Sequence, residues 1–357
     1  MSDPEAHPVR ISSESVQLQA LEPVLEEIRS AVGNIPELLA IAGEIGHTAP
    51  KPGEGNTAKL WELLASVTAV DVAAGRVLEP HLDALAILAQ SGSEAIETGT
   101  WGVFAAEGPG MKLEAKTGPA GNYVLNGAKP WCSLAAQLDN AIITAHTEGN
   151  GRTAFAVSLK DPGVSCETPK WTSRGLQEIP SGTVQFEHVK AAPVGDEGWY
   201  FKRPGFAWGG MGVASCWFGG AVAMARDFRA ALAAGVGNGR NPDQIALASL
   251  GEVDRILTSV GGYLAETAER IDAGGLADSG ADGSSAWSEA LRVRGTVAAA
   301  VERVLTVVSQ NLGPGPLAFN EAYGKRMADL SLYIRQHHAL RDDAQLGALT
   351  LDGDAGW

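Results

Sequence analysis

The chain has 357 residues, 42 acidic against 27 basic, for a formal net charge of −15. Such an excess repels phosphate backbones and anionic lipid surfaces, and no cluster of Lys or Arg offsets it, which excludes nucleic-acid and membrane-surface binding. Hydrophobic residues at 45% and charged ones at 19% describe a globular chain. The longest apolar run, Val213–Ala225, is far short of the about 20 residues a membrane span needs.

From Ser15 to about Gln90 the pattern is helical. Leu18, Leu21, Val24, Leu25 and Ile28, then Leu60, Leu63, Leu64, Val67 and Val70, recur at helical spacing. Pro36 and the stretch Ala49–Gly55 divide this region into separate helices. From Trp101 to about Val194 short β-branched and aromatic runs take over: Tyr123–Leu125, Ala141–Ala145, Thr153–Leu159 and Thr183–Val189. Turn-rich segments (118–121, 148–151, 161–163) separate them at intervals that predict an antiparallel barrel or sandwich. In Thr183–Val189, Val184 and Phe186 alternate with Gln185 and Glu187, as in a strand with one wet face. Helices return at Ala207. Ala207–Ala234 is nearly all Ala, Gly and apolar residues, a helix buried on most sides whose small-residue face predicts oligomerisation. Asp243–Ala273 carries a stripe of Leu247, Leu250, Val253, Ile256 and Leu257. After a polar loop at 272–285, Ser288–Leu312 and Ala322–Gly347 complete a four-helix bundle. The predicted fold is α+β and multidomain: an N-terminal helical domain (1–97), a middle β domain (98–194) and a C-terminal helical bundle (195–357).

Glu107-Gly-Pro-Gly110 followed by Tyr123-Val-Leu-Asn-Gly-Ala-Lys-Pro-Trp-Cys-Ser133 resembles the middle domain of acyl-CoA dehydrogenases, where a Glu-Pro-Gly loop precedes a strand reading Asn-Gly-x-Lys-x-Trp-Ile-Thr. Ser181-Gly-Thr-Val-Gln-Phe-Glu-His-Val189, after Gly175, looks like that family's Ser-x-x-Val-x-Phe-x-x-Val segment. Gln310-Asn-Leu-Gly313-Pro-Gly315 is similar to its Gln-x-x-Gly-Gly-x-Gly turn. The order of these motifs, from about residue 55 to 347, implies the family's fold and an FAD cofactor.

The resemblance implies that the strand Trp131-Cys132-Ser133 lies beside the isoalloxazine ring, with a flat face from Trp131 and a hydroxyl from Ser133, and that Glu107 belongs to the cofactor loop. It also implies that Gln310, Gly313 and Gly315 meet the adenosine end of FAD held by a neighbouring subunit. Three departures change the pattern: Ala106 stands for the usual Thr, Met111 follows the loop where Gly-Ser-Asp is usual, and Ala233–Gly237 replaces an Arg-containing Phe-Gly turn.

Acyl-CoA dehydrogenases remove the α-proton of a thioester with a Glu. The family places that Glu either in the first helix of the bundle or in the loop entering the last helix. No Glu occurs between Gly205 and Gly237, and alignment of Asp329–Tyr333 with the family's Arg-Asp-Ala-x-Ile-Tyr run puts His337 at the second position, with His338 beside it. An imidazole with an ordinary pKa near 6.5 suits proton transfer at neutral pH. The resemblance thus implies α,β-desaturation of an acyl thioester of CoA or a carrier protein, with hydride passing to the flavin and on to a flavoprotein or oxygen. The alternatives are a flavin monooxygenase or oxidase using His337, and a base-lacking subunit that pairs with a catalytic sister. The expected assembly is a homodimer or homotetramer, or that hetero-oligomer. His47, His81, His146 and His188 lack metal-ligand spacing, so no metal is expected. Three scattered cysteines and a polar start unlike a signal peptide point to a reducing, cytoplasmic setting.

Overall fold

The computed structural model describes residues 7–11, 15–92, 98–118, 122–148, 151–167, 170–276 and 284–354. The predicted turns at 118–121 and 148–151 and the loop at 272–285 lie partly outside them.

A 3₁₀ turn (Ser15–Leu21) leads into α1 (Glu22–Ala31), α2 (Ile35–Gly46), α3 (Thr57–Val70) and α4 (Val72–Ser91). Pro36 falls in the first turn of α2, where its missing N–H is harmless, and Asn34 caps that turn through the Glu37 N–H. The break between α3 and α4 was not legible as a turn. Asp71 makes it, adopting an extended conformation and accepting from the Ala74 N–H at 2.9 Å.

Seven strands follow: β1 (Trp101–Phe104), β2 (Leu113–Thr117), β3 (Tyr123–Ser133), β4 (Asn140–His146), β5 (Arg152–Ser158), β6 (Val164–Cys166) and β7 (Ser181–Val194). They run in the order β1-β4-β2-β3-β7-β5, and β5 pairs back to β4, closing a small barrel. The pairings β1–β4 and β2–β4 are parallel, which corrects the all-antiparallel expectation. Because β4 is entered only after β2 and β3, the chain has the crossover length that parallel pairing requires. Val184 and Phe186 are buried and Glu187 is exposed, as the alternation in β7 predicts.

The remaining chain is helical: α5 (Trp199–Lys202), α6 (Pro204–Gly237), α7 (Gln244–Asp272), α8 (Ser284–Leu312), α9 (Pro314–Phe319), α10 (Glu321–Tyr333), a 3₁₀ turn (Ile334–Gln336) and α11 (Leu340–Leu351). Helix α6 is the central post, touching α3, α4, α7, α8 and α10. A Cβ on Gly219 would stand 2.0 Å from the Ala65 carbonyl oxygen, so only glycine lets α6 and α3 approach this closely. Its apolar face, from Ala207 to Phe228, is thus covered by the chain itself and is no argument for oligomerisation. Exposed apolar side chains lie elsewhere, at Ile245, Leu247, Leu317, Phe319, Leu340 and Leu351. The α7 stripe is likewise shifted: Leu247 is exposed, and Val253, Val260, Leu264, Ala268 and Ile271 face the core.

The predicted helix at 322–347 is two helices. Ala339 takes φ +50°, in the left-handed region that non-glycine residues avoid, so the backbone cannot continue helically through it. His337 and His338 lie in this break.

Candidate active site

Four segments converge where β3 of the barrel meets the helices. On β3 the motif residues first do folding work. Gly127, at φ +118°, makes a bulge where a Cβ would stand 2.1 Å from the Lys112 carbonyl oxygen. The Asn126 Oδ1 accepts from the His188 N–H at 2.9 Å, tying β3 to β7. Lys129, 1% exposed, donates to the Thr144 carbonyl at 2.7 Å and to Glu107 Oε1 at 2.9 Å. Glu107 also pairs with Arg152 at 2.9 Å and His146 at 3.1 Å, and these partners hold its carboxyl below the ordinary value despite an opposing desolvation. Glu107 thus clasps the 105–107 segment to the barrel.

A second register shift between Lys129 and Cys132, with Trp131 at φ +60°, turns the indole outward. Trp131 is 62% exposed while its neighbours Pro130 and Cys132 are buried. An indole held off the sheet by a strained bulge is a flat wall, and no ring or guanidinium among the described residues stacks on it. The Cys132 side chain points into the core, its thiol pushed up to about 12 by burial, and offers a ligand nothing. Ser133 closes the strand with its hydroxyl 2.7 Å from that of Ser181.

From α4, Arg76 reaches Ser133 Oγ with a long 3.4 Å contact, lies 5.9 Å over the Tyr333 ring and pairs with Glu79 at 3.4 Å. Tyr333 ends α10 and meets Trp217 of α6 edge-on, with centroids 6.4 Å apart. Arg294 of α8 lies 4.9 Å over the other indole partner, Trp217, and donates to the Gly210 carbonyl at 3.0 Å and to the Gln336 carbonyl at 2.7 Å. The next residue is His337, 9% exposed, whose Nε2 has no hydrogen-bond partner among the described residues; Asp342 Oδ2 stands 3.7 Å away. Burial pushes the imidazole pKa down, with Arg294 adding to that and Asp342 opposing it, so the ring is held neutral. His338 is 65% exposed and bonds Asp342 at 3.1 Å.

The structure therefore brings Ser133 towards Tyr333 through Arg76, and joins His337 to the same cluster through Arg294. Gln310, Gly313 and Gly315 stand apart, at the far end of α8 and the start of α9. Gly295, whose Cβ would lie 3.6 Å from His337 Nε2, precedes Gln310 by fifteen residues of one helix, about 22 Å. Gln310 and Gly315 are exposed. Arg76, Glu79, Trp217 and Arg294 were missed in the sequence; the visible signal was charge interrupting the apolar run of α4.

One acidic trio, Asp71, Glu178 and Asp329, has cation-site geometry among the described residues. Lys325 already fills it, at 2.9, 2.8 and 2.6 Å.

Residues 107–189 match the family model described as the acyl-CoA dehydrogenase middle domain. No curated protein sequence matches the chain. Among solved structures, butyryl-CoA dehydrogenase from Megasphaera elsdenii superposes with TM-score 0.78 at 17% identity, covering 96% of this chain and 100% of that one. TdsC from Paenibacillus sp. A11-2, in complex with FMN and indole, superposes with TM-score 0.78 at 15% identity over 95% of this chain and 98% of its own. A nitrososynthase from Micromonospora carbonacea var. africana superposes with TM-score 0.77 at 15% identity over 95% and 96%. The chain has the acyl-CoA dehydrogenase fold, with that family's middle domain recognisable in its barrel. This fold is shared by a butyryl-CoA dehydrogenase and by TdsC, a dibenzothiophene monooxygenase. No helix among the described residues is long and apolar enough to cross a membrane.

Proposed function

We propose that this chain is a flavin-dependent oxidoreductase of a small molecule, and that it works as a monooxygenase or oxidase in which His337 moves the proton. The observation that carries the reading is the buried, neutral His337, its Nε2 unpartnered among the described residues, next to Gln336, whose carbonyl is held by the Arg294 that lies over Trp217, the indole that meets Tyr333. The outward indole of Trp131, the Ser133 hydroxyl and the Arg76 guanidinium suit a flavin's flat ring and polar edge, so the residues present fit the cofactor. A bound flavin would supply hydride acceptance or oxygen activation. The chain's own residues would orient the substrate, exclude water through Trp217 and Tyr333, and take a proton on His337 Nε2.

FAD and FMN are both served by this ring site. The FAD reading has Gln310, Gly313 and Gly315 of a neighbouring subunit holding the adenosine end, in keeping with the exposure of Gln310 and Gly315 and the distance of this turn from His337. TdsC and KijD3 are each described with FMN. We carry the division at 1–97, 98–194 and 195–357, a homo-oligomer and a cytoplasmic setting as parts of the same proposal.

The middle-domain match favours a second reading, desaturation of an acyl thioester. One experiment separates the two. The purified chain is loaded with FAD or FMN, and its visible band is followed during anaerobic titration with butyryl-CoA and, separately, during oxygen uptake after reduction. Bleaching by butyryl-CoA without oxygen supports the dehydrogenase. Inertness to the thioester with rapid reoxidation supports the monooxygenase or oxidase. A chain that binds neither flavin removes both readings.

A further inference from the structure

Helix α4 carries a charged stripe through an apolar core. Arg76, Glu79 and Asp83 follow one another by three and four residues, so all three side chains share one face. Below Arg76 that face opens on a cavity walled by Leu60, Trp61 and Leu64 of α3, Leu82 of α4, and Trp208 with Gly209 and Gly212 of α6. Its free space is about 30 Å³. That is room for one amino group with its carbon, or for about two waters.

The carboxylates in this cavity are under-served by the protein. Glu79 is 8% exposed, and its one donor among the described residues is the long 3.4 Å contact from Arg76. Asp83 accepts no hydrogen bond among the described residues; Arg203 acts on it only at longer range. Facing Asp83, Gly209 leaves a gap that a Cβ would close to 2.8 Å from Oδ1. Glu79 is a buried carboxylate with one long donor and Asp83 a partly buried one with none, and as a buried carboxylate short of donors costs about 1–3 kcal/mol, the small cavity between them is where a donor belongs.

We propose that this cavity is the specificity pocket for the substrate and receives a terminal primary amine, with Glu79 and Asp83 accepting its N–H bonds and the indoles of Trp61 and Trp208 flanking it. The inference rests on the reading that Ser133 and His337 mark the reacting end. Arg76 to Asp83 spans seven residues of helix, about 10 Å, so the reacting carbon framework would extend that far from the amine. A plain alkyl chain ending here would bury two carboxylates against methylenes, which disfavours a fatty acyl substrate.

Glu79 titrates where this matters. Burial raises its pKa to about 7, with Asp83 raising it further and Arg76 and Arg294 lowering it. Cys216 of α6, Tyr200 of α5 and Tyr333 of α10 also face it, all uncharged at neutral pH. An ammonium group is therefore held better as pH rises through about 7 and the carboxylate forms.

The test uses calorimetric titration of the purified full chain with n-hexylamine and 1-hexanol at pH 6 and pH 8, in wild type, Glu79→Gln and Asp83→Asn. Flavin binding is followed separately by fluorescence quenching. The expected result is hexylamine binding at pH 8, about tenfold weaker at pH 6 and about tenfold weaker in each variant, with hexanol weak throughout. Equal affinity for amine and alcohol, or hexylamine affinity unchanged in both variants, overturns the pocket assignment. Should flavin still bind in that case, the flavin reading survives the loss; should flavin fail to bind while the amine binds, the pocket stands and the flavin reading falls.

Discussion

Arg294 donates through Nη2 to the carbonyl of Gln336 at 2.7 Å, so a guanidinium on α8 pins the backbone immediately before His337. The same guanidinium holds the Gly210 carbonyl on α6, and the three elements therefore share one anchor. Arg294→Met should free the 334–339 segment and remove a positive charge from beside the imidazole. Since Arg294 helps to hold the His337 pKa down, its loss raises that pKa. The acidic limb of the pH–rate profile should move to higher pH, a change that simple unfolding would not produce. An unmoved limb with only a lower rate would mean that Arg294 is structural alone.

His337 and His338 give a sharper contrast. His337→Gln should lower turnover by about 10²–10⁴-fold with flavin binding intact, because the cofactor-facing groups, Trp131 and Ser133, lie on β3. His338→Gln should change little, since His338 is 65% exposed and spends its ring on Asp342. Measured rates on any substrate turned over decide it. Two near-wild-type rates would favour a subunit without its own base.

Much of this was legible in the sequence, though for mixed reasons. The three textures, the alternation of Val184 and Phe186, and the motif around Trp131 and Ser133 all appear in the fold, because local periodicity reports which face is buried. The contrast between His337 and His338 cannot be read from helical spacing. It arises instead from a helix break at Ala339, a backbone strain that no periodicity encodes. Arg76 reaching a strand 57 residues away and Arg294 reaching 42 residues ahead are long-range pairings. A single sequence carries no signal for those beyond the oddity of charge in an apolar helix.

Lys325 sits among Asp71, Glu178 and Asp329, and so ties the start of α4, the segment before β7 and α10 together. Asp329 is 1% exposed and also accepts from the Leu176 N–H. Lys325→Met would leave three carboxylates facing one another without their cation. Removing one partner of a buried ion pair costs about 3–5 kcal/mol, and this site should fall in that range by urea denaturation. A loss under about 1 kcal/mol would mean that solvent already screens the trio.

Glu79 and His81, two residues apart on α4, make opposite demands on pH. Glu79 has its folded pKa raised from 4.5 to about 7 by burial, so its contribution is intact below about 4.5 and is lost as pH rises through 7. His81 accepts from the Trp101 N–H on Nδ1 and has its pKa lowered from 6.5 to about 4 by burial, with His47 adding to it. Its neutral form is the one the fold wants, so its contribution is intact above about 6.5 and falls as pH drops towards 4. Each shift is worth roughly 3 kcal/mol at full development. Between pH 4.5 and 6.5 the two slopes oppose, and the wild-type stability curve should be nearly flat there. Glu79→Gln removes one of them. The variant should gain stability over wild type at pH 8, lose that advantage below about pH 5, and show a steady decline from pH 6.5 to 4 set by His81. Urea midpoints at half-unit pH steps would show this. Parallel curves for the two proteins would mean that Glu79 is solvated in the folded chain and that its carboxylate carries no burial penalty.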